Sequence, residues 1–140
     1  MPEEVDNLKG ANTSKNIIRY SDAELQEFKE LITQKLESAE IQLSYLIEEI
    51  ESVTENPETR SVGMGEASTT QEKEYLNQMA SRQRQYIRHL ENALIRIENK
   101  VYGICRVTGK LIVKERLKAV PHATLSMEAK TTMRNGQQWQ

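Results

Sequence analysis

The chain has 140 residues, of which 29% are charged, with a formal net charge of −2 and one cysteine. That length allows one modest domain, or one domain with arms, and nothing in the near-neutral total points to wholesale nucleic-acid binding. A single thiol excludes an intramolecular disulfide framework and suits a reducing compartment. No apolar run approaches the roughly 18 residues of a membrane span. The start, Met-Pro-Glu-Glu-Val-Asp, lacks the basic and apolar pattern of a signal peptide. A cytoplasmic protein with no membrane partner is expected. One Phe and one Trp suit a coiled coil better than a large globular core.

Residues 1–20 are polar and read as a flexible arm, ordered at most near Ile17, Ile18 and Tyr20. Ser21-Asp22-Ala23-Glu24 is a capping box, in which the Ser21 hydroxyl and the Glu24 carboxylate satisfy each other's backbone N–H. A helix starts there. Leu36, Ala39, Leu43, Leu46, Ile50 and Val53 recur at alternating steps of three and four, and Leu25, Phe28 and Ile32 extend the stripe backwards. That is a coiled-coil seam. About 32 residues at 1.5 Å each give a rod of roughly 48 Å.

Periodicity stops between Thr54 and Thr70, where Pro57, Gly63 and Gly65 mark a turn region. Ser68, Thr69 and Thr70 are expected to cap a second helix. Its seam holds Leu76, Met79, Gln83, Tyr86, Leu90, Ala93 or Leu94, and Ile97. Gln83, polar within that seam, either sets register or faces a wet gap, and the wet gap is the favoured expectation. Arg82, Arg84, Arg88 and Arg96 make the outer surface basic. Two rods joined by one loop fold back antiparallel and bury each other's stripe. Charge agrees with that pairing: 11 acids face 2 bases from Asp22 to Glu58, whereas 12 bases face 6 acids from Gln71 to Lys130.

Gly103 is free to take a left-handed conformation where the second helix ends. Val107 to Val113 turns through Thr108-Gly109-Lys110 and reads as a short β-hairpin. Thr124 is expected to cap a last short helix reaching about Met133, and residues 135–140 to fray. The domain reading is therefore an arm at 1–20, a hairpin at 21–100 with a tip loop at about 54–70, a knuckle at 101–134, and a tail.

Within that knuckle, Cys105 and Thr108 stand at C-x-x-C spacing before a Gly-Lys turn, and Ser126 and Ala129 repeat the spacing. A structural zinc site needs four thiolates or imidazoles; one thiol remains. Zinc and other cofactors are not expected, and a buried thiol packed with Val107, Leu111 and Leu125 is. Cys105 and His122 lack the oriented third group of a nucleophilic site, so no enzyme is expected.

Tyr102-Gly103-Ile104-Cys105, the Gly109-Lys110 turn, Arg116-Leu117 with Ala119, Pro121 and the four ligand positions resemble the finger of the DksA/TraR family. The resemblance implies a mainly α fold, a long antiparallel helical hairpin followed by a zinc-finger-like knuckle, here without zinc. It implies a transcription regulator that binds RNA polymerase directly, with the hairpin inserted in the secondary channel. Better-known members carry Asp-x-x-Asp-x-Ala at the hairpin tip. Ungapped counting from Cys105 puts those positions at Val62, Gly65 and Ala67; only Ala67 matches, and Glu66 is the one acid nearby. The resemblance assigns no site for the alarmone ppGpp, which some members bind.

Arg106, Lys110, Lys114, Arg116, Lys118 and Lys130 form a basic face suited to DNA phosphate or to an acidic protein surface. That face supports the alternative, a structural or DNA-associated coiled-coil protein docking through its former finger.

Overall fold

A computed structural model describes residues 18–55 and 65–134. It contains the helices α1 (Asp22–Glu55), α2 (Gly65–Glu98), α3 (Lys114–Ala119) and α4 (Met127–Arg134). The fold is mainly helical, as the heptad-like spacing requires. The described residues form two compact units: one takes 18–29 with 94–134, the other lies within Glu30–Ala93.

In the second unit α1 and α2 run antiparallel. Leu31 to Gln42 share a groove with Tyr86, while Gln42 to Glu49 share one with Met79 to Gln83. Ile32, Ala39, Val53, Leu76, Ala80, Ile87, Leu90 and Ala93 are buried in the seam. Gln83 lines the second of these grooves, as a residue facing a gap would, but its amide is also engaged. Its Nε2 donates to the Ala39 carbonyl at 3.0 Å and to Gln42 Oε1 at 3.1 Å, so a polar seam residue is satisfied across the helix pair.

Both ends of the span read as a loop at 54–70 are helical, and residues 56–64 lie outside the described residues. Thr54 and Glu55 stay helical, with the Thr54 hydroxyl donating to the Ile50 carbonyl at 2.9 Å. At the other side α2 begins at Gly65, so Ser68, Thr69 and Thr70 lie inside the helix instead of capping it. Ala67 and Glu66 favour helix, and a helix already nucleated by its packed seam extends at little cost.

In the first unit the capping box forms as expected: Ser21 N–H reaches Glu24 Oε1 at 2.9 Å, and Glu24 N–H reaches Ser21 Oγ at 3.1 Å. Tyr20 and Leu25, at the two staple positions flanking that cap, are both buried. Tyr20 is thus core, not arm. Helix α2 ends in a Schellman motif, with Val101 N–H on the Arg96 carbonyl and Lys100 N–H on that of Ile97, each at 3.0 Å. The left-handed residue of that stop is Lys100 (φ 64°). Gly103 (φ 81°) reverses the chain a second time, three residues on.

The expected β-hairpin reduces to a single antiparallel bridge, Ile104 to Leu111. Its short arms are closed by Ile112 N–H on the Gly103 carbonyl (2.7 Å) and Cys105 N–H on that of Lys110 (2.8 Å). Six intervening residues leave no length for a ladder. Helix α4 is capped by Ser126, not Thr124: Ala129 N–H reaches Ser126 Oγ at 3.2 Å.

Candidate functional site

Around the finger, apolar rings stack in a row. Tyr20 meets Phe28 edge-on at 5.4 Å between centroids, and Phe28 meets Tyr102 at 5.1 Å. Each outer ring carries its hydroxyl to a buried backbone acceptor. Tyr20 donates to the Ile112 carbonyl, and Tyr102 to the Pro121 carbonyl at 2.8 Å. Burial pushes both phenols above their ordinary range. They remain neutral donors, which the two struts require.

Cys105 is 1% exposed. Its sulfur accepts the Thr108 N–H at 3.5 Å and the Ser126 N–H at 3.3 Å. Burial raises the thiol's pKa, but hydrogen bonds from the Thr108 hydroxyl and from the Ser126, Thr108 and Val107 backbone outweigh it, lowering the pKa to about 6. Ala129 is also 1% exposed. Val107, Leu111 and Leu125, expected to pack on the thiol, are only half-buried.

The six basic residues do not form one free face. Lys114 Nζ pairs with Glu24 Oε2 at 2.7 Å. Arg116 is half-buried, with Nε on the Leu125 carbonyl at 2.9 Å and Nη1 3.1 Å from Met127 Sδ. Arg106 donates to Thr124 Oγ1 at 3.3 Å. Lys110, Lys118 and Lys130 are exposed. On α2, Arg82, Arg84 and Arg88 are exposed, but Arg96 is half-buried, and burial lowers its pKa.

Of the four tip positions, Val62 lies outside the described residues. Gly65, Glu66 and Ala67 fall in the first turn of α2. Sequence reading missed the outer surface of the hairpin. Ile41, Tyr45 and Tyr75 are more than half exposed, and Tyr45, Leu46 and Met79 line a groove of ≈ 430 Å³. Tyr45 and Tyr75 are off the seam register, a signal the seam count passes over.

The profile of the prokaryotic dksA/traR C4-type zinc finger matches residues 100–132. The finger region is therefore similar to that of the DksA/TraR family. It is 50% identical over 46 residues to the uncharacterized protein YteA of Bacillus subtilis, covering 33% of this chain and 19% of that protein. It is 48% identical over 48 residues to the RNA polymerase-binding transcription factor DksA of Caulobacter vibrioides, covering 34% of each. The matched region thus spans between a fifth and about a third of these relatives' length. The fold is that of transcription factor DksA2 from Pseudomonas aeruginosa (TM-score 0.72, 21% identity, 81% of this chain and 85% of that one).

A C4-type finger holds its ion with four cysteines. At the spacing of such ligands, Cys105, Thr108, Ser126 and Ala129 offer one thiol, two hydroxyls and a methyl group. Among the described residues, no group of three or more His, Cys, Asp or Glu side chains stands together to hold a metal. The residues do not fit the ion.

Proposed function

We propose that this chain is a non-enzymatic transcription regulator that binds RNA polymerase directly. The helical hairpin is its inserting element, in the polymerase secondary channel, and the finger acts without zinc. The match of the finger to a relative named as an RNA polymerase-binding transcription factor carries this reading. Two observations support it physically. A two-helix rod with a satisfied seam is narrow enough for a channel that excludes globular domains. Its outer surface also presents Ile41, Tyr45 and Tyr75 to a partner, and aromatic anchors of this kind dominate protein interfaces. The tip lacks the paired acids of better-known members, so the proposed action is occupancy of the channel, with no acid delivered to the polymerase chemistry.

Docking on DNA is the weaker reading, because Lys114 and Arg116 are engaged within the protein. Gel filtration of the purified chain with its host's core RNA polymerase, at two salt concentrations, tests the choice. Co-migration that persists at the higher salt supports the regulator. Absence of co-migration, with salt-sensitive retention of DNA instead, supports the other reading.

A further inference from the structure

We propose that the Cys105 sulfur takes the place of the zinc ion, joining the two halves of the finger as a shared hydrogen-bond acceptor. This deepens the zinc-free reading given above and is independent of which partner the hairpin binds.

Zinc in a C4 finger crosslinks two knuckles that are distant in sequence. Here the first knuckle contributes Cys105 and Thr108, and the second Ser126 and Ala129. The sulfur accepts one N–H from each: Thr108 at 3.5 Å and Ser126 at 3.3 Å. A second tie runs beside it, from Arg106 N–H to the Thr124 carbonyl at 3.0 Å.

The remaining ligand positions are closed to metal. Thr108 Oγ1 accepts the Lys110 N–H at 3.2 Å, and Ser126 Oγ accepts the Ala129 N–H at 3.2 Å. Each hydroxyl oxygen thus caps local backbone, and neither ionises at neutral pH to offer the anionic ligand a zinc thiolate site needs. The methyl of Ala129, buried at the fourth position, offers no lone pair. Both hydroxyls and the methyl thus serve the metal-free geometry, and of the four side chains at these positions the Cys105 sulfur reaches across. The tyrosine struts to Ile112 and Pro121 supply the clamping that the ion would otherwise give.

The test uses the full chain and reads metal content, thermal unfolding and amide exchange, none of which depends on polymerase. The expected wild-type protein, produced with zinc in the medium, holds less than about 0.1 zinc per chain and keeps its Tm in a strong chelator. Its Thr108 and Ser126 amides exchange slowly. In Cys105→Ala both amides lose protection and Tm falls by about 5 °C. The variant Thr108→Cys/Ser126→Cys/Ala129→Cys binds one zinc, because the two knuckles already converge on the Cys105 sulfur. One zinc per wild-type chain with a chelator-sensitive Tm overturns the proposal. So do fast Thr108 and Ser126 amides in the wild type, which keeps the test decisive even where a variant fails to fold. Failure of the triple variant to take zinc overturns the claimed convergence. A finger that passes these tests in a chain that ignores polymerase leaves this inference standing and removes only the proposed function.

Discussion

The Tyr20 ring occupies the space that a Cβ on Gly103 would need: its Cε2 and Cδ2 lie 2.6 and 2.7 Å from that position. A residue just ahead of the first helix is thereby locked against the turn that opens the finger. Gly103 also has φ 81°, so alanine there meets both a clash and a disfavoured backbone. Gly103→Ala is expected to cost about 2–4 kcal/mol in urea unfolding. Gly109 (φ 74°) has no atom within 4 Å of its Cβ position. Gly109→Ala should lose only the backbone part, about 1–2 kcal/mol. Equal losses at the two sites would show that the Tyr20 contact carries nothing.

The two tyrosine struts make a second prediction. Tyr20→Phe and Tyr102→Phe keep the ring stack but each strands a buried carbonyl, of Ile112 and Pro121 respectively. Each should lose about 1–2 kcal/mol, measured by denaturant midpoint at unchanged slope. No loss in either variant would mean that water replaces the hydroxyl and the struts are dispensable.

How far this was legible follows from the kind of signal each element leaves. The seam from Leu25 to Val53 and its partner from Leu76 to Ile97 repeat over many turns, and periodicity of that length fixes both helices. Ser21 and Glu24 announce the helix start because a capping box is a local motif. Tyr20 leaves little mark in the sequence because its partners, Phe28, Gly103 and Ile112, are brought to it only by tertiary folding. Its staple position with Leu25 was the available clue. Lys100 escaped notice as the left-handed stop because a lysine carries no such mark, while Gly103 drew attention to itself. The basic face looked continuous in sequence; only packing shows that Lys114 belongs to Glu24 and Arg116 to the Leu125 carbonyl.

Gln83 in the seam gives a third test. Its amide donates to the Ala39 carbonyl, which as part of α1 has a helical partner as well. Replacing it with Leu removes donor and need together, so Gln83→Leu should change stability by less than about 1 kcal/mol. A loss well beyond that, read from thermal unfolding, would mean the amide sets the register of the helix pair.

Acid sensitivity has a definite sign at the helix start. The hydrogen bond from Lys114 first, and the Ser21 N–H next, hold the Glu24 carboxyl below its ordinary range. A depressed carboxyl stabilises the folded state in full above its ordinary pKa, and that contribution fades as pH falls through the depressed one. Glu24 is partly exposed (33%), so the effect is small, under about 1 kcal/mol, and shrinks with salt. Glu24→Gln should therefore be less stable than wild type at neutral pH, with the gap closing toward pH 3. A gap that widens on acidification would contradict the assignment.

Site-directed photocrosslinking tests most directly whether the hairpin meets RNA polymerase, as proposed above. A photoreactive amino acid in place of Tyr45 or Tyr75 sits on an exposed helix surface, away from the buried seam. Incubated with the host's core RNA polymerase and irradiated, such a protein should crosslink to the polymerase large subunits, and a competitor for the secondary channel should abolish the product. Crosslinks that survive the competitor, or no polymerase crosslink from either position in folded protein, would contradict the account.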